Sequence, residues 1–166
     1  MNIVGIDAST NKTGIAFFQD SEYVEHTLID LHTIKNPDKR IPKMMLAICG
    51  YLDKHKIDKI IMEKSMLKSN IDTVQKLSNL AGAIMYYAAC NDIEFELAYP
   101  TEWRKKIGLQ QSFKIKREVL KEEAIQAVRQ AYSIEVTDDE AEAILLARSG
   151  YDLPKIFITE DDLWEI

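Results

Sequence analysis

Apolar and polar residues alternate in short runs at the start of this chain and in helical steps further on. "NIVGIDAS", "TGIAFFQ" and "YVEHTLIDL" are apolar runs bounded by turn formers and separated by a few positions. They predict three strands joined by tight turns, an antiparallel meander. In "DKRIPKMMLAICGYLDKHK", Met44, Ile48 and Leu52 recur every four residues, which predicts a helix with one buried stripe. "IDKIIME" reads as a strand. "NIDTVQKLSNLAGAIMYYAACN" reads as the clearest helix, its stripe running through Val74, Leu77, Ala81, Ile84 and Ala88. "IEFELAY" returns to strand until Pro100, and "TEWRKKIG" predicts a short helix closed by Gly108. "FKIKREVLKEEAIQAVRQAY" and "TDDEAEAILLARSG" supply further helices. This order predicts an α/β architecture, a mixed sheet with helices on its faces.

The chain has 166 residues, enough for one ordinary core, so a single domain over residues 1–149 is expected, with 150–166 as a weakly periodic, acidic tail. That tail either joins the same domain or is mobile, with Phe157 and Trp164 as the side chains able to dock on the body. No apolar run approaches a membrane span, and "MNIVGIDAST" lacks the basic start and apolar stretch of a signal peptide, which predicts a cytoplasmic protein. Cys49 and Cys90 each sit in an apolar helical stretch outside any CxxC pair, so both are expected to be buried structural residues.

Net charge is −6, a balance that argues against a polyanionic partner until its distribution is considered. Residues 101–121 contain Arg104, Lys105, Lys106, Lys114, Lys116, Arg117 and Lys121 against only Glu102 and Glu118, a local +5 that leaves −11 for the rest. Such separation creates a positive face on an acidic molecule, the feature a nucleic acid meets. The plainer reading is a solvated helix surface.

The opposite charge gathers in "EVTDDEAEAILLAR", residues 135–148. Thr137 and Glu140 form a capping-box pattern, and acids at a helix start complement its dipole. Capping does not account for Asp139 and Glu142, three residues apart and therefore on one face. Two more carboxylates, Asp7 and Glu63, end the apolar runs "IVGI" and "KIIM", where an unpaired charge is costly. Taken alone, each is an ordinary turn residue. Converging, the four need cations; oxygen-only ligation selects a hard divalent ion such as Mg²⁺ or Mn²⁺, and His26, His32 and His55 offer no zinc spacing. Two such ions side by side activate water and stabilise the departing oxygen of a phosphodiester, which is nuclease chemistry.

"VGIDASTNKTGIAFF", "IIMEKSM" and "DDEAEAILLA", in this order and at these separations, resemble the RuvC family of Holliday junction resolvases within the RNase H-like superfamily, over residues 1 to about 149. The resemblance implies a sheet whose first three strands are antiparallel and whose later strands are added in parallel. It also implies an acidic tetrad of Asp7, Glu63, Asp139 and Glu142 holding two Mg²⁺ ions, and a homodimer that nicks branched DNA symmetrically. It further implies DNA contacts at Lys64, Met66, Lys68, Lys76, Lys105, Lys106, Lys114 and Lys116, with Lys114 nearest the scissile phosphate. The helix carrying "VQKLSNLAGAI" is similar to the one this family uses for dimerisation, with Gly82 allowing close approach; simple core packing is the alternative.

Three departures from the family pattern stand out. Ala8 and Ser9 follow Asp7 where Pro-Gly is usual, Glu142 replaces an aspartate, and Met66 with Leu67 stands where an aromatic wedge is common. These changes fit a compact phage-type branch with relaxed selectivity, accepting forks as well as four-way junctions. Other readings remain open on sequence alone: an inactive branched-DNA binding module, a sibling nuclease acting on RNA:DNA hybrids or single strands, and an actin-like ATPase or sugar-kinase fragment suggested by "GIDASTNKTGIA".

Overall fold

The computed structural model describes residues 1–64, 70–110 and 114–157. Five strands, β1 (Asn2–Asp7), β2 (Lys12–Gln19), β3 (Glu22–Asp30), β4 (Lys59–Glu63) and β5 (Glu94–Ala98), form one sheet in the order β3-β2-β1-β4-β5. β1, β2 and β3 pair antiparallel, while β4 and then β5 are added parallel to β1. The helices are α1 (Pro37–Leu52), α2 (Ile71–Cys90), α3 (Pro100–Lys106), α4 (Arg117–Tyr132) and α5 (Asp138–Ser149). The architecture is therefore the mixed, helix-flanked sheet expected from the sequence.

Strand alternation sorts the core into two layers. Val4, Ile6, Ile15, Phe17, Ile60 and Met62 face α1 and α2, where Met44, Ile48 and Leu52 form the expected stripe. Ile3, Ala16, Phe18, Ile61 and Ala98 face the other way, onto α3, α4 and α5. Between the sheet and α4 lies α5, whose run Ala143–Ala147 is wholly buried, as expected of a helix covered on more than one side.

Two glycines let α5 lie directly on the sheet. A Cβ on Gly5 would come within 2.5 Å of the Ala147 nitrogen, and one on Gly14 within 2.5 Å of the Asp139 carbonyl carbon. No side chain fits between these backbones. α5 opens with the full capping box, Thr137 and Glu140 exchanging their hydrogen bonds, and Gly108, at φ +84°, follows the end of α3.

Several details differ from the sequence reading. α2 buries Leu80, Ile84 and Ala88, whereas Val74, Leu77 and Ala81 are only half-buried, so the buried stripe lies in the second half of the helix. Cys90, in the last turn of α2, is exposed, and Cys49 on α1 is half-buried rather than enclosed. Arg104 is not part of a surface patch: it is only 2% exposed. Beyond α5, Tyr151, Ile156 and Phe157 pack on the core, the Tyr151 hydroxyl donates to the Met1 carbonyl at 2.8 Å, and the Ile156 amide donates to Ile107. Trp164 lies outside the described residues. Among the described residues no helix is long and apolar enough to cross a membrane.

Candidate active site

Asp7 and Glu63 are the last residues of β1 and β4, two adjacent parallel strands in which Ile6 pairs with Met62. Parallel neighbours lie about 4.8 Å apart, so the two carboxylates leave the sheet side by side. Alternation sends Asp7 to the same face as Ile3 and Gly5, and Glu63 to the same face as Ile61, which is the face covered by α5. Gly14 pairs across the ladder with Asp7 and is the residue on which the Asp139 backbone rests. The first turn of α5 is thereby delivered beside Asp7, with Glu142 one turn further along the same face. The site thus sits beyond the carboxyl ends of the parallel strands, where α/β sheets carry their ligands.

All four acids are half-buried, and their electrostatics show that they share one field. Burial first, then the charges of Glu142, Glu63 and Asp139, push Asp7 well above the usual carboxylate range, against a counter-pull from Lys121. Burial, and then Glu142, raise Glu63 from 4.5 to about 7. Glu142 is also raised by burial, opposed by Arg104, Lys121 and Arg117, and Asp139 by burial and Asp138. Such mutual perturbation of clustered acids marks a candidate cation-binding centre.

Protein donors hold the two glutamates. The Trp103 indole donates to Glu63 Oε2 at 2.9 Å, and Arg104 Nη1 to Glu142 Oε1 at 3.4 Å. Lys121 forms an ion pair with Asp138, beside Asp139. Among the described residues, no three His, Cys, Asp or Glu side chains are drawn into a ready-made metal cage.

The raised Glu63 pKa yields a sign-definite prediction. Its folded value, about 7, exceeds its ordinary 4.5. The folding contribution of the protonated acid is therefore complete below pH 4.5 and is lost as pH rises through about 7. Gln stays neutral and still accepts from Trp103. In metal-free buffer, Glu63→Gln should match the wild type near the acid end of this window. At pH 8 it should be about 3 kcal/mol more stable. Urea unfolding at both pH values checks this, and a difference that stays flat with pH would place the carboxylate in open solvent.

The basic residues separate into different roles. Arg104, Arg117, Lys121 and, toward Asp139, Lys12 are cations whose charge reaches the acids. Arg104 was expected on a surface, and neither Arg117 nor Lys121 stood out from the basic run as a site residue. The burial of Arg104 carries no local sequence signal, whereas the i, i+4 spacing of Arg117 and Lys121 on one helix face is legible in retrospect. Trp103 was missed as well, although a polar-tipped aromatic inside a basic helix is a cue for a hydrogen-bond role.

Lys105, Lys106, Lys114 and Lys116 are exposed, and Lys106 shares a small cleft with Lys59, at the end of β4 opposite Glu63. Lys64 lies over the Tyr99 ring and donates to its hydroxyl at 2.6 Å, next to Glu63. Lys76 is paired with Asp72 on α2. Met66 and Lys68 lie outside the described residues.

Comparison with known proteins gives a consistent family. The family model for "Crossover junction endodeoxyribonuclease RuvC" matches residues 3–145. The protein of that name from Mycolicibacterium smegmatis is 24% identical over 107 residues, 61% of this chain and 58% of the relative. Its counterpart from Bdellovibrio bacteriovorus is 27% identical over 108 residues, 63% of this chain and 64% of the relative. The alignments thus cover less than two thirds of these relatives. Among solved structures, RuvC from T. thermophilus in complex with a Holliday junction substrate superposes with a TM-score of 0.72 at 13% identity, covering 90% of this chain and 91% of that one. The Fowlpox virus resolvase, in complex with its Holliday junction DNA, gives 0.62 at 16% identity, with 90% and 96% coverage. The family match spans β1 through most of α5: this chain belongs to the RuvC family of crossover junction endodeoxyribonucleases.

Proposed function

We propose that this protein is a divalent-metal-dependent endodeoxyribonuclease that resolves Holliday junctions, acting as a homodimer that nicks paired strands symmetrically. The observation that carries this reading is that two strand ends and one helix bring Asp7, Glu63, Asp139 and Glu142 within one another's electrostatic reach in a chain of this family. Carboxylate oxygens of this number and charge suit a hard divalent ion, Mg²⁺ with Mn²⁺ as substitute, and these four residues would hold two of them. Bound ions of this kind supply a hydroxide-like nucleophile at neutral pH and neutralise charge on the phosphate. The residues of the chain do the rest. β1 and β4 fix Asp7 and Glu63, α5 carries Asp139 and Glu142, and Arg117 and Lys121 on α4 offset negative charge beside them. Lys114 precedes α4 in the chain and, in this reading, stabilises charge developing on the scissile phosphate.

The homodimer is supported by the outer side of α2, where Ile71, Met85 and Tyr86 are exposed, with Leu46 of α1 also uncovered. A Cβ on Gly82 would meet nothing within 4 Å, so that side is open to a second helix. Lys64, Lys76, Lys105, Lys106 and Lys116, with Met66 and Lys68, remain the proposed DNA contacts. The altered turn after Asp7 and the longer Glu142 side chain support a compact, phage-type enzyme that also accepts forks.

The decisive experiment is Mg²⁺-dependent nicking of a synthetic four-way junction beside linear duplex, fork and RNA:DNA hybrid, for wild type and Glu63→Gln. Paired nicks in the junction by wild type alone are expected. Preferential cutting of the hybrid would reassign the substrate, and binding without cutting under any divalent ion would leave a junction-binding module. Lys114→Ala should slow nicking at least tenfold and flatten the salt dependence of junction binding by about one unit of log–log slope. An unchanged slope and rate would remove Lys114 from the interface.

A further inference from the structure

α3 is a short helix, yet its two buried residues each reach a different acid of the site. Trp103 is 2% exposed and its indole N–H ends on Glu63, while Arg104, also 2% exposed, ends on Glu142. Arg104 is anchored from all sides. Nε donates to the Gln110 carbonyl at 2.9 Å, and Nη2 donates to the Leu120 carbonyl at 3.0 Å and to Glu123 Oε2 at 2.9 Å. Only the bond to Glu142, at 3.4 Å, lies at the long limit of hydrogen bonding. Glu123 is itself held by the Gln110 amide at 3.0 Å, so the guanidinium is fixed from behind by α4 and reaches forward to α5. A guanidinium cannot shed its charge in a protein, and a buried one must stay between carboxylates.

We infer that Trp103 and Arg104 form a positioning pair for the two glutamates. Arg104 serves as the built-in counter-cation of Glu142, holding it by a long, releasable bond until a divalent ion takes that carboxylate. This inference rests on the metal-dependent reading above. Its physical content is an exchange of partners. Glu142 passes from Arg104 to the ion, while Arg104, still anchored on Glu123 and the two backbone carbonyls, stays beside that carboxylate and limits the orientations open to it. Trp103 keeps Glu63 aimed from the other side through the same helix. Asp7 and Asp139 have no such donor from α3, so the two glutamates are the acids whose orientation α3 controls.

The test uses the full chain and two variants, with melting temperature, Mn²⁺ affinity from the free-ion electron paramagnetic resonance signal, and junction nicking at saturating Mn²⁺. Arg104→Lys keeps the charge but, on a single ammonium, cannot hold Glu123, Glu142 and two carbonyls together. Trp103→Phe keeps the ring and removes only the N–H. For each variant the expected result is a split: Mn²⁺ affinity within threefold of wild type or tighter, and nicking at saturation at least tenfold slower. Nicking at the wild-type rate in both variants would overturn the inference. Equal loss of Mn²⁺ binding and nicking, or loss of cooperative melting in both, would overturn it too, by making the pair a structural support. A wild type that neither binds Mn²⁺ nor nicks would instead refute the metal-dependent reading itself, before either variant is compared.

Discussion

Asp7→Asn is expected to abolish junction nicking, by at least 10³-fold, while leaving junction binding largely intact and making the metal-free protein more stable. Both effects have one cause. Asp7 ends the central strand of the sheet, where burial and then the charges of Glu142, Glu63 and Asp139 resist its ionisation. Replacing it by a neutral amide of the same shape relieves that repulsion, and the relief grows with pH as the wild-type acid is forced to ionise. The same change removes the oxygen most surrounded by other acids, which in the proposed mechanism is indispensable for holding cations. Thermal melting with and without Mg²⁺ separates the contributions. Wild type should gain stability on adding Mg²⁺ by mass action, and the variant should gain much less. Destabilisation of the metal-free variant would show that Asp7 serves the fold rather than the chemistry.

Gly14→Ala should be among the most damaging single substitutions in the protein, although it adds one methyl group and lies at no catalytic position. The added carbon would come within 2.5 Å of the Asp139 carbonyl carbon, a backbone atom that no rotamer change can move aside. The first turn of α5 must lift from the sheet. Overpacking of this kind costs on the order of 3 kcal/mol when the obstructing group is rigid. It also shifts Asp139 and Glu142 away from Asp7, and a displacement near 1 Å at a reacting centre lowers the rate about 10²-fold. Gly50→Ala is the control, because a Cβ there meets nothing within 4 Å. Urea unfolding and nicking of both variants check the comparison; a Gly14→Ala protein with wild-type rate and stability would mean that α5 does not rest on β2 at this point.

The sequence by itself determined the elements and most of their partners. Period-two and period-four apolar patterns marked β1, β2, β4, β5, α1 and α5, because burial imposes those periods directly on the residues that fill the core. The acids at strand ends and at a capped helix start were visible for a related reason: a carboxylate directly after a buried run is expensive, so its presence is a signal. Tertiary structure decided what no local pattern encodes. Packing left Cys90 exposed and confined the buried stripe of α2 to Leu80, Ile84 and Ala88, since burial depends on which side of a helix its neighbours cover. Arg104, one of seven cations in a basic stretch, proved to be enclosed between Glu123 and Glu142, a pairing across 19 and 38 residues. Nothing in the apolar runs around Gly5 and Gly14 encodes that α5 lies directly on them. Which charges neutralise one another, and which backbones touch, are properties of contacts distant in the chain, and only the folded arrangement fixes them.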